Sequence, residues 1–466
     1  MCLVLLSSFA AFAGAADVSW DTIVRLTTDP ASQIAGYSGQ HSVAVDAGGN
    51  VHVAWLDQRD VPYQVWYRRY DAGSGAWLAE TVLTSRPANC FRPGIACDGA
   101  GNVYVVWHFE NYQGPGIWCK RYDAAAELWK PDTLIDSTTT LQPQFYPAVA
   151  CAPGSGDVAL AWYGLPDTGM YAQAFLKERN PASGWDSAVQ VSTVAVNHDQ
   201  VSVAASENGD VAVVWCGNDL GSASNQVLCR RRVDGTWQNV ELVSDLIDIS
   251  QYAPVAAFDR DGALHIVWHG RSGLVSFYQQ VFHRSRDKSG WSAIDSVSGT
   301  RSDDQNFPSI ALDRLGRYHV VWCSKAGSEH TQLLYGQRDT NGVWSSPVIL
   351  TGLDSGDVGY PSIACDSDSG IHIVWHDDHS GNQDIYYLRG VTPGAALAET
   401  PNVELRATNV RPTLVRGVSL TTGSAFGDRT SDLFDACGRA VADATPGVYF
   451  IRTPGSRRLA RVVVAR

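Results

Sequence analysis

The sequence predicts an all-β chain folded as a ring of seven four-stranded blades, a β-propeller, followed by a small C-terminal β-sandwich-like unit. Three observations carry this. An aliphatic run ending in tryptophan occurs seven times, from VHVAW at Trp55 through Trp107, Trp162, Trp215, Trp268 and Trp322 to IHIVW at Trp375, at intervals of 52, 55, 53, 53, 54 and 53 residues. A second tryptophan closes each unit, at Trp77, Trp129, Trp185, Trp237, Trp291 and Trp344. The composition is rich in glycine (43) and tryptophan (16) and poor in methionine (2), without long amphipathic runs. Four short antiparallel strands per unit, repeated at a fixed period, are the mark of a propeller.

The first element is an apolar run, MCLVLLSSFAAFAGAADV, with Ala13-Gly14-Ala15 at its end. It reads as a secretory signal peptide over 1–16, so the chain is expected to be exported, to the cell surface or the medium. Next comes WDTIVRLTTD, from Trp20 to Asp29. It has the form of a closing segment, yet nothing precedes it. The seventh unit, about 357–390, stops at DIYYLRG without such a segment. The N-terminal ribbon therefore supplies the missing fourth strand, pairing antiparallel with about 383–389 and closing a propeller that spans 17–390.

Within a unit, strand A is typified by PSIALD (308–313), strand B by the xHxVW run and strand C by QVWYRRYD (64–71), with strand D opening at the second tryptophan. Strand B is apolar on both faces, as in sheets covered on both sides. Alternation of strand direction puts the A–B and C–D turns on one face. The longer, variable B–C and D–A loops share the other, which is the expected functional face.

Candidate ligand residues follow from that placement. Five units set proline at the start of strand A (Pro93, Pro147, Pro254, Pro308 and Pro361), and Arg92, Tyr146, Phe307 and Tyr360 precede four of them. In a ring these four circle the channel mouth, an aromatic platform suited to a sugar face or a protein loop. Glu110 and Glu329 lie in B–C loops of the same face, without a recognisable base partner.

The remaining motifs read as structure. Histidines 52, 265, 319 and 372 sit three residues before the strand-B tryptophan, and 108, 269 and 376 sit just after it, a regularity that predicts inter-blade packing. The strand-C arginines 69, 121, 232, 286 and 338 predict bracing of the C–D turn. HDDHSGNQD (376–384) reads as a solvated loop, and the turns at 259–262 and 366–370 lack the distal glutamate of an EF-hand. No cofactor and no metal site is expected; weak calcium binding at those two turns is the alternative. Cysteines 97, 151 and 365 share one repeat position and 216 and 323 another, which fits small buried side chains. Cys216 and Cys229 are the one pair placed to bridge neighbouring strands.

Net charge is −13 overall, but residues 401–466 hold 10 arginines and 5 acidic groups, leaving −18 before them. This excess of aspartate suits turns and solubility and excludes nucleic acid as a partner. No later segment reaches the ~18 apolar residues of a membrane span. A monomer is expected.

Two resemblances add to this reading. The C–D turns VDGTW (233–237), RDKSGW (286–291) and RDTNGVW (338–344) resemble the Asp-box of sialidase-type (BNR) propellers. That resemblance implies a structural role for Asp234, Asp287 and Asp339 with Trp237, Trp291 and Trp344, the aspartate bracing the turn and the tryptophan packing between blades. Sialidases have six blades and an arginine triad, whereas seven units are present here, and FRPGI (91–95) aligns with the ordinary start of strand A. After a linker over 391–402, residues 403–466 resemble the C-terminal sorting domain of type IX secretion substrates, on LFDACGRAV (433–441), PGVYFIR (446–452) and RLARVVVAR (458–466). The resemblance implies delivery by secretion machinery. Together these readings give an exported propeller that binds a glycan or protein ligand without catalysis. A sialidase-like glycoside hydrolase is the alternative, and a purely structural surface component a further one.

Overall fold

Every residue of VHVAWLD (Val51–Asp57) is buried, which a two-faced surface strand would not allow. The reason is that each sheet is covered on both sides by its neighbours in a ring. The computed structural model describes residues 13–15, then 18–392 except 38, 110–115, 137–141, 220–223, 245–248, 273–276 and 300–301, and finally the strands Asp432–Asp435, Gly447–Arg452 and Leu459–Val464. Two compact units divide at Ala398 and Glu399.

The first unit is a seven-bladed β-propeller. Blade 1 covers 33–82, blade 2 90–134, blade 3 144–190, blade 4 199–242, blade 5 251–296 and blade 6 305–349; blade 7 joins 358–391 to 19–25. Strands A, B and C run antiparallel, as in Cys90–Cys97, Val103–Phe109 and Ile117–Asp123 of blade 2. The apolar core is not central. It forms as layers between blades, for example Val149, Leu160 and Trp162 of blade 3 against Tyr104, Val106 and Ile117 of blade 2. The layer between blades 7 and 1 joins Val374 and Ile385 to Val43, Val53 and Trp55, so the ring closes. All seven strand-B tryptophans lie in such layers at 0–1 % exposure.

Closure follows the expected pairing. Ser19 and Trp20 pair with Val391 and Gly390, and Val24 and Arg25 with Tyr387 and Tyr386. Gly390 is required there, since a Cβ would lie 2.5 Å from the Trp20 ring. Trp20 meets Tyr335 of blade 6 edge-on at 4.9 Å, as Trp77 meets Tyr387 and Trp129 meets Tyr67, each on the preceding blade. Trp20 is therefore the seventh member of its series in contacts as well as in spacing.

Strand D differs from expectation. Rather than one strand it is two short pieces, such as Ala76–Trp77 and Thr81–Val82, each pairing separately with strand C. It is the outer, exposed edge of the blade, and an interrupted edge offers no continuous template to another chain.

The histidines before the strand-B tryptophan tie blades 1, 5, 6 and 7 together internally. His52 Nδ1 bonds Tyr67 Oη at 2.6 Å and its Nε2 bonds Asp46 Oδ2 at 3.1 Å, joining the A–B turn to strands B and C. His372 repeats this with Tyr387 and Asp366, and His319 with Tyr335 and Asp313. These hydrogen bonds are within the blade, and the expected packing between blades is made beside them: the His265 ring lies 4.3 Å from Tyr318 of blade 6, and Tyr67, Tyr335 and Tyr387 each meet the next blade's tryptophan. The two candidate calcium turns use their carboxylates in the same way. Asp366 Oδ1 accepts the amides of Asp368 and Gly370, and Asp259 Oδ1 that of Ala263.

Cys216 pairs with Val227 and Cys229 with Val214, two ladder positions apart, and both thiols are free, so the bridge envisaged between them does not form. Of the second unit, the three described strands make one antiparallel sheet in the order 432–435, 447–452, 459–464. The rest of the sorting-domain reading, and the linker from 393, lie outside the described residues.

Candidate functional site at the variable-loop face

A bulge repeated around the ring builds the site. In strand A of blade 2, Phe91 pairs with His108 and Gly94 with Val106, so Arg92 and Pro93 together oppose the single residue Trp107. Bulges bend a strand and re-aim a side chain. The first bulged residue is left-handed, with φ of 53° at Arg92, 49° at Tyr146, 51° at Gln200, 56° at Ala253, 54° at Phe307 and 44° at Tyr360. Such backbone costs about 1–3 kcal/mol for a non-glycine residue and persists only when its surroundings hold it.

The holding groups are the residues that follow the strand-B tryptophan. His108 Nδ1 accepts the Tyr146 amide at 3.4 Å, His269 Nδ1 that of Phe307 at 3.2 Å, and His376 Nδ1 that of Ala35 at 3.2 Å. Each bond crosses from one blade to the next. Accepting an amide requires a neutral ring with its proton on Nε2. Burial enforces this, lowering His108 and His269 to about 3 and His376 to about 4.

These bulges bring Arg92, Tyr146, Phe307 and Tyr360 together, and at their centre stands a residue the repeat did not reveal, Tyr37. Its ring lies 5.2 Å from Tyr146, 6.1 Å from Phe307 and 4.8 Å from Tyr360, with the Arg92 guanidinium 4.7 Å above it. Tyr37 arrives on an insertion in blade 1. Ile34 and Val43 are nine positions apart, where the matching Phe91 and Ile95 of blade 2 are four apart. That difference in length was the available signal.

Beside this cluster opens a pocket of ≈ 370 Å³, lined by Phe91, Arg92, His108, Phe145, Tyr146 and Tyr163. Tyr163 takes the place in blade 3 that His108 holds in blade 2, and it stacks on Tyr146 at 5.4 Å and 14°. The lining thus offers aromatic faces, one guanidinium, one imidazole and two phenols. Burial raises the Tyr163 phenol, which stays protonated. Among the described residues no carboxylate lies within ion-pair distance of Arg92.

Of the other candidates, Glu110 lies outside the described residues, and Glu329 is an exposed residue of the blade 6 B–C loop. The C–D turns sit on the opposite face, beside the A–B turns. Asp287 Oδ1 accepts the amides of Ser289 and Gly290, and Asp339 Oδ1 those of Asn341 and Val343. At Asp234 the bond runs the other way, its amide donating to Asp210 Oδ1 at 2.9 Å. Trp237 and Trp291 lie under Arg230 and Arg284, and Trp344 is buried against His283. The strand-C arginines divide: Arg69 and Arg121 pair with Asp71 and Asp123 of their own turns, whereas Arg232, Arg286 and Arg338 reach Glu178, Glu241 and Asp295 of the preceding blade. The 376–384 loop is not solvated throughout as expected: Asp377 and Asp384 are buried, Asp377 accepting the Trp375 indole within blade 7 and Asp384 accepting Arg25 and Thr27, which fixes the closure.

Fold and mouth define the class: a seven-bladed propeller with an aromatic, cationic pocket on its variable-loop face. No protein-family model and no curated protein matches the chain. Among solved structures it is similar to the polysaccharide lyase Uly1, at a TM-score of 0.54 and 10% identity over 80% of this chain and 99% of that one. A PL25 ulvan lyase follows, at 0.52 and 10% over 81% and 95%. A Hadza microbial sialidase gives 0.42 and 13% over 72% and 73%. At such identities the likeness is one of fold.

Proposed function

We propose that this chain is an exported propeller that binds an acidic glycan in the pocket between blades 2 and 3, without cleaving it. The observation that carries this is Arg92, a guanidinium held at the edge of an aromatic pocket with no carboxylate partner among the described residues. Sugar rings stack on the faces of Phe145 and Tyr163; a sugar carboxylate satisfies Arg92 and the His108 Nε2–H. The pocket falls within the ~300–1,000 Å³ range of small-ligand sites. Glycan-acting names among the structural neighbours agree with a saccharide ligand. Hydrolysis by paired carboxylates needs two of them about 5–9.5 Å apart across the bond, and among the described residues none lines this pocket.

The test is calorimetry with a tetrasaccharide of alternating glucuronic acid and neutral sugar, against its carboxyl-reduced form. The acidic form is expected to bind more tightly, with no new reducing ends after long incubation. Arg92→Ala is expected to weaken the acidic form by about 10- to 100-fold, the loss of one charge-assisted contact, and to leave the reduced form unchanged. Equal binding of both forms, or turnover, would overthrow this reading. Residues 403–466 are proposed as the export address; undiminished export after their deletion would remove that role.

A further inference from the structure

We infer that Tyr37 is the positioning residue of the pocket: its ring sets the plane of the Arg92 guanidinium, and through it the preference for a carboxylate-bearing sugar. The inference rests on the glycan reading above.

The insertion that carries Tyr37 is anchored around the mouth. Gln40 Oε1 accepts the Tyr37 amide at 2.9 Å, while Gln40 Nε2 donates to the carbonyls of Arg92 at 3.0 Å and Pro147 at 2.8 Å. Gly39 has φ 85°, and a Cβ there would come within 2.8 Å of the Val201 carbonyl and 3.5 Å of that of Pro254. The turn therefore rests directly on blades 4 and 5 and is bonded to blades 2 and 3. The Tyr37 ring completes the circle by meeting Tyr360 of blade 7 and Phe307 of blade 6.

Held this way, the ring is a fixed plate. Arg92 lies across it at 4.7 Å and within 5.4 Å of Tyr146 and 6.0 Å of Tyr360. A guanidinium stacked on aromatic faces keeps its in-plane N–H edge available, and that edge matches a carboxylate bidentately. Stacking also removes rotamer freedom that binding would otherwise have to quench. Tyr37 is not itself part of the described lining and meets it at Arg92 and Tyr146, so it acts on the ligand at second hand.

Tyr37→Ala and Tyr37→Phe separate positioning from support. With the same tetrasaccharide and its carboxyl-reduced form, Tyr37→Ala is expected to weaken the acidic form about tenfold and the reduced form not at all. Tyr37→Phe, which keeps the plate, restores binding. The Arg92 Nε–H resonance, displaced by the ring current of Tyr37, is expected to move in Tyr37→Ala and hold in Tyr37→Phe, with thermal unfolding confirming that both variants are folded. Unchanged acidic binding in Tyr37→Ala, or an equal loss for both forms, overturns the inference. If the wild type binds neither form, the glycan reading falls by itself. The Arg92 resonance then decides the positioning alone, and an unmoved signal in Tyr37→Ala overturns it.

Discussion

Removing residues 18–29 abolishes cooperative folding of the ring. That ribbon is one strand of blade 7, and its loss uncovers the apolar layer on each side of it. Leu26, 1 % exposed, is worth about 1.5–3 kcal/mol on burial. Asp384, fully buried, loses Arg25 and Thr27 and keeps only Ser380. Depriving a buried carboxylate of its partner costs roughly 3–5 kcal/mol, discounted here because Arg25 is itself 36% exposed. The ladder bonds from Asp21 to Arg389 and Leu26 to Ile385 go too. Together these losses rival the ~5–15 kcal/mol that holds a whole domain. Chemical unfolding is expected to change from one steep transition to a broad one, with aggregation. A permutant that carries 18–34 after residue 391 restores blade 7 locally and is expected to unfold as the wild type does. A truncated chain with an unchanged transition would show that closure does not hold the ring.

Acid weakens the ring from about pH 6.5 downward. His108, His269, His283 and His376 are buried and neutral in the folded chain, their values lowered by burial to about 3, 3, 4 and 4. The ordinary value is about 6.5, so between these limits the unfolded chain binds more protons than the folded one. The histidine contribution is therefore full above about 6.5 and falls as pH drops toward 4. Each histidine contributes up to about 1.4 kcal/mol per pH unit, and the four together roughly 5. Burial raises Asp46 and Asp313, but hydrogen bonds with His52 and His319 outweigh it and bring both to about 2, so their contribution is lost only below about 3.8. Two windows result, histidine first and aspartate second. Midpoints of urea unfolding are expected to be flat from pH 7 to 8 and to fall steeply from 6.5 to 4. His269→Cys, which copies Cys216 and Cys323 at the same repeat position, is expected to remove one histidine's share of that slope. Flat midpoints from pH 7 to 4.5 would refute the neutral-histidine braces.

The ring was legible because its signals are periodic. Strand-B tryptophans every 52–55 residues count the blades, and Trp20 without a unit of its own marks the closure. Arg92, Tyr146, Phe307 and Tyr360 were legible as a set for the same reason: one bulge recurs, and proline after it makes the position visible. Tyr37 was hidden because it breaks the period. An insertion's length can be read from spacing, but its path over the backbone of blades 4 and 5 is a tertiary property. The roles of the histidines were half visible. Their positions gave regularity; which nitrogen accepts, and from which blade, depends on how neighbouring blades meet, which no local pattern encodes. Strand D was misread as continuous because its tryptophan announces a strand, while exposure along the outer edge leaves the middle unpaired.

Crystals of the chain grown with the glucuronic acid tetrasaccharide decide whether the pocket holds an acidic sugar. A carboxylate is expected against Arg92 and the His108 Nε2 position, with a sugar ring on Tyr163 or Phe145. Ordered sugar at the A–B and C–D turns of the opposite face, with the Arg92 pocket empty, would contradict it.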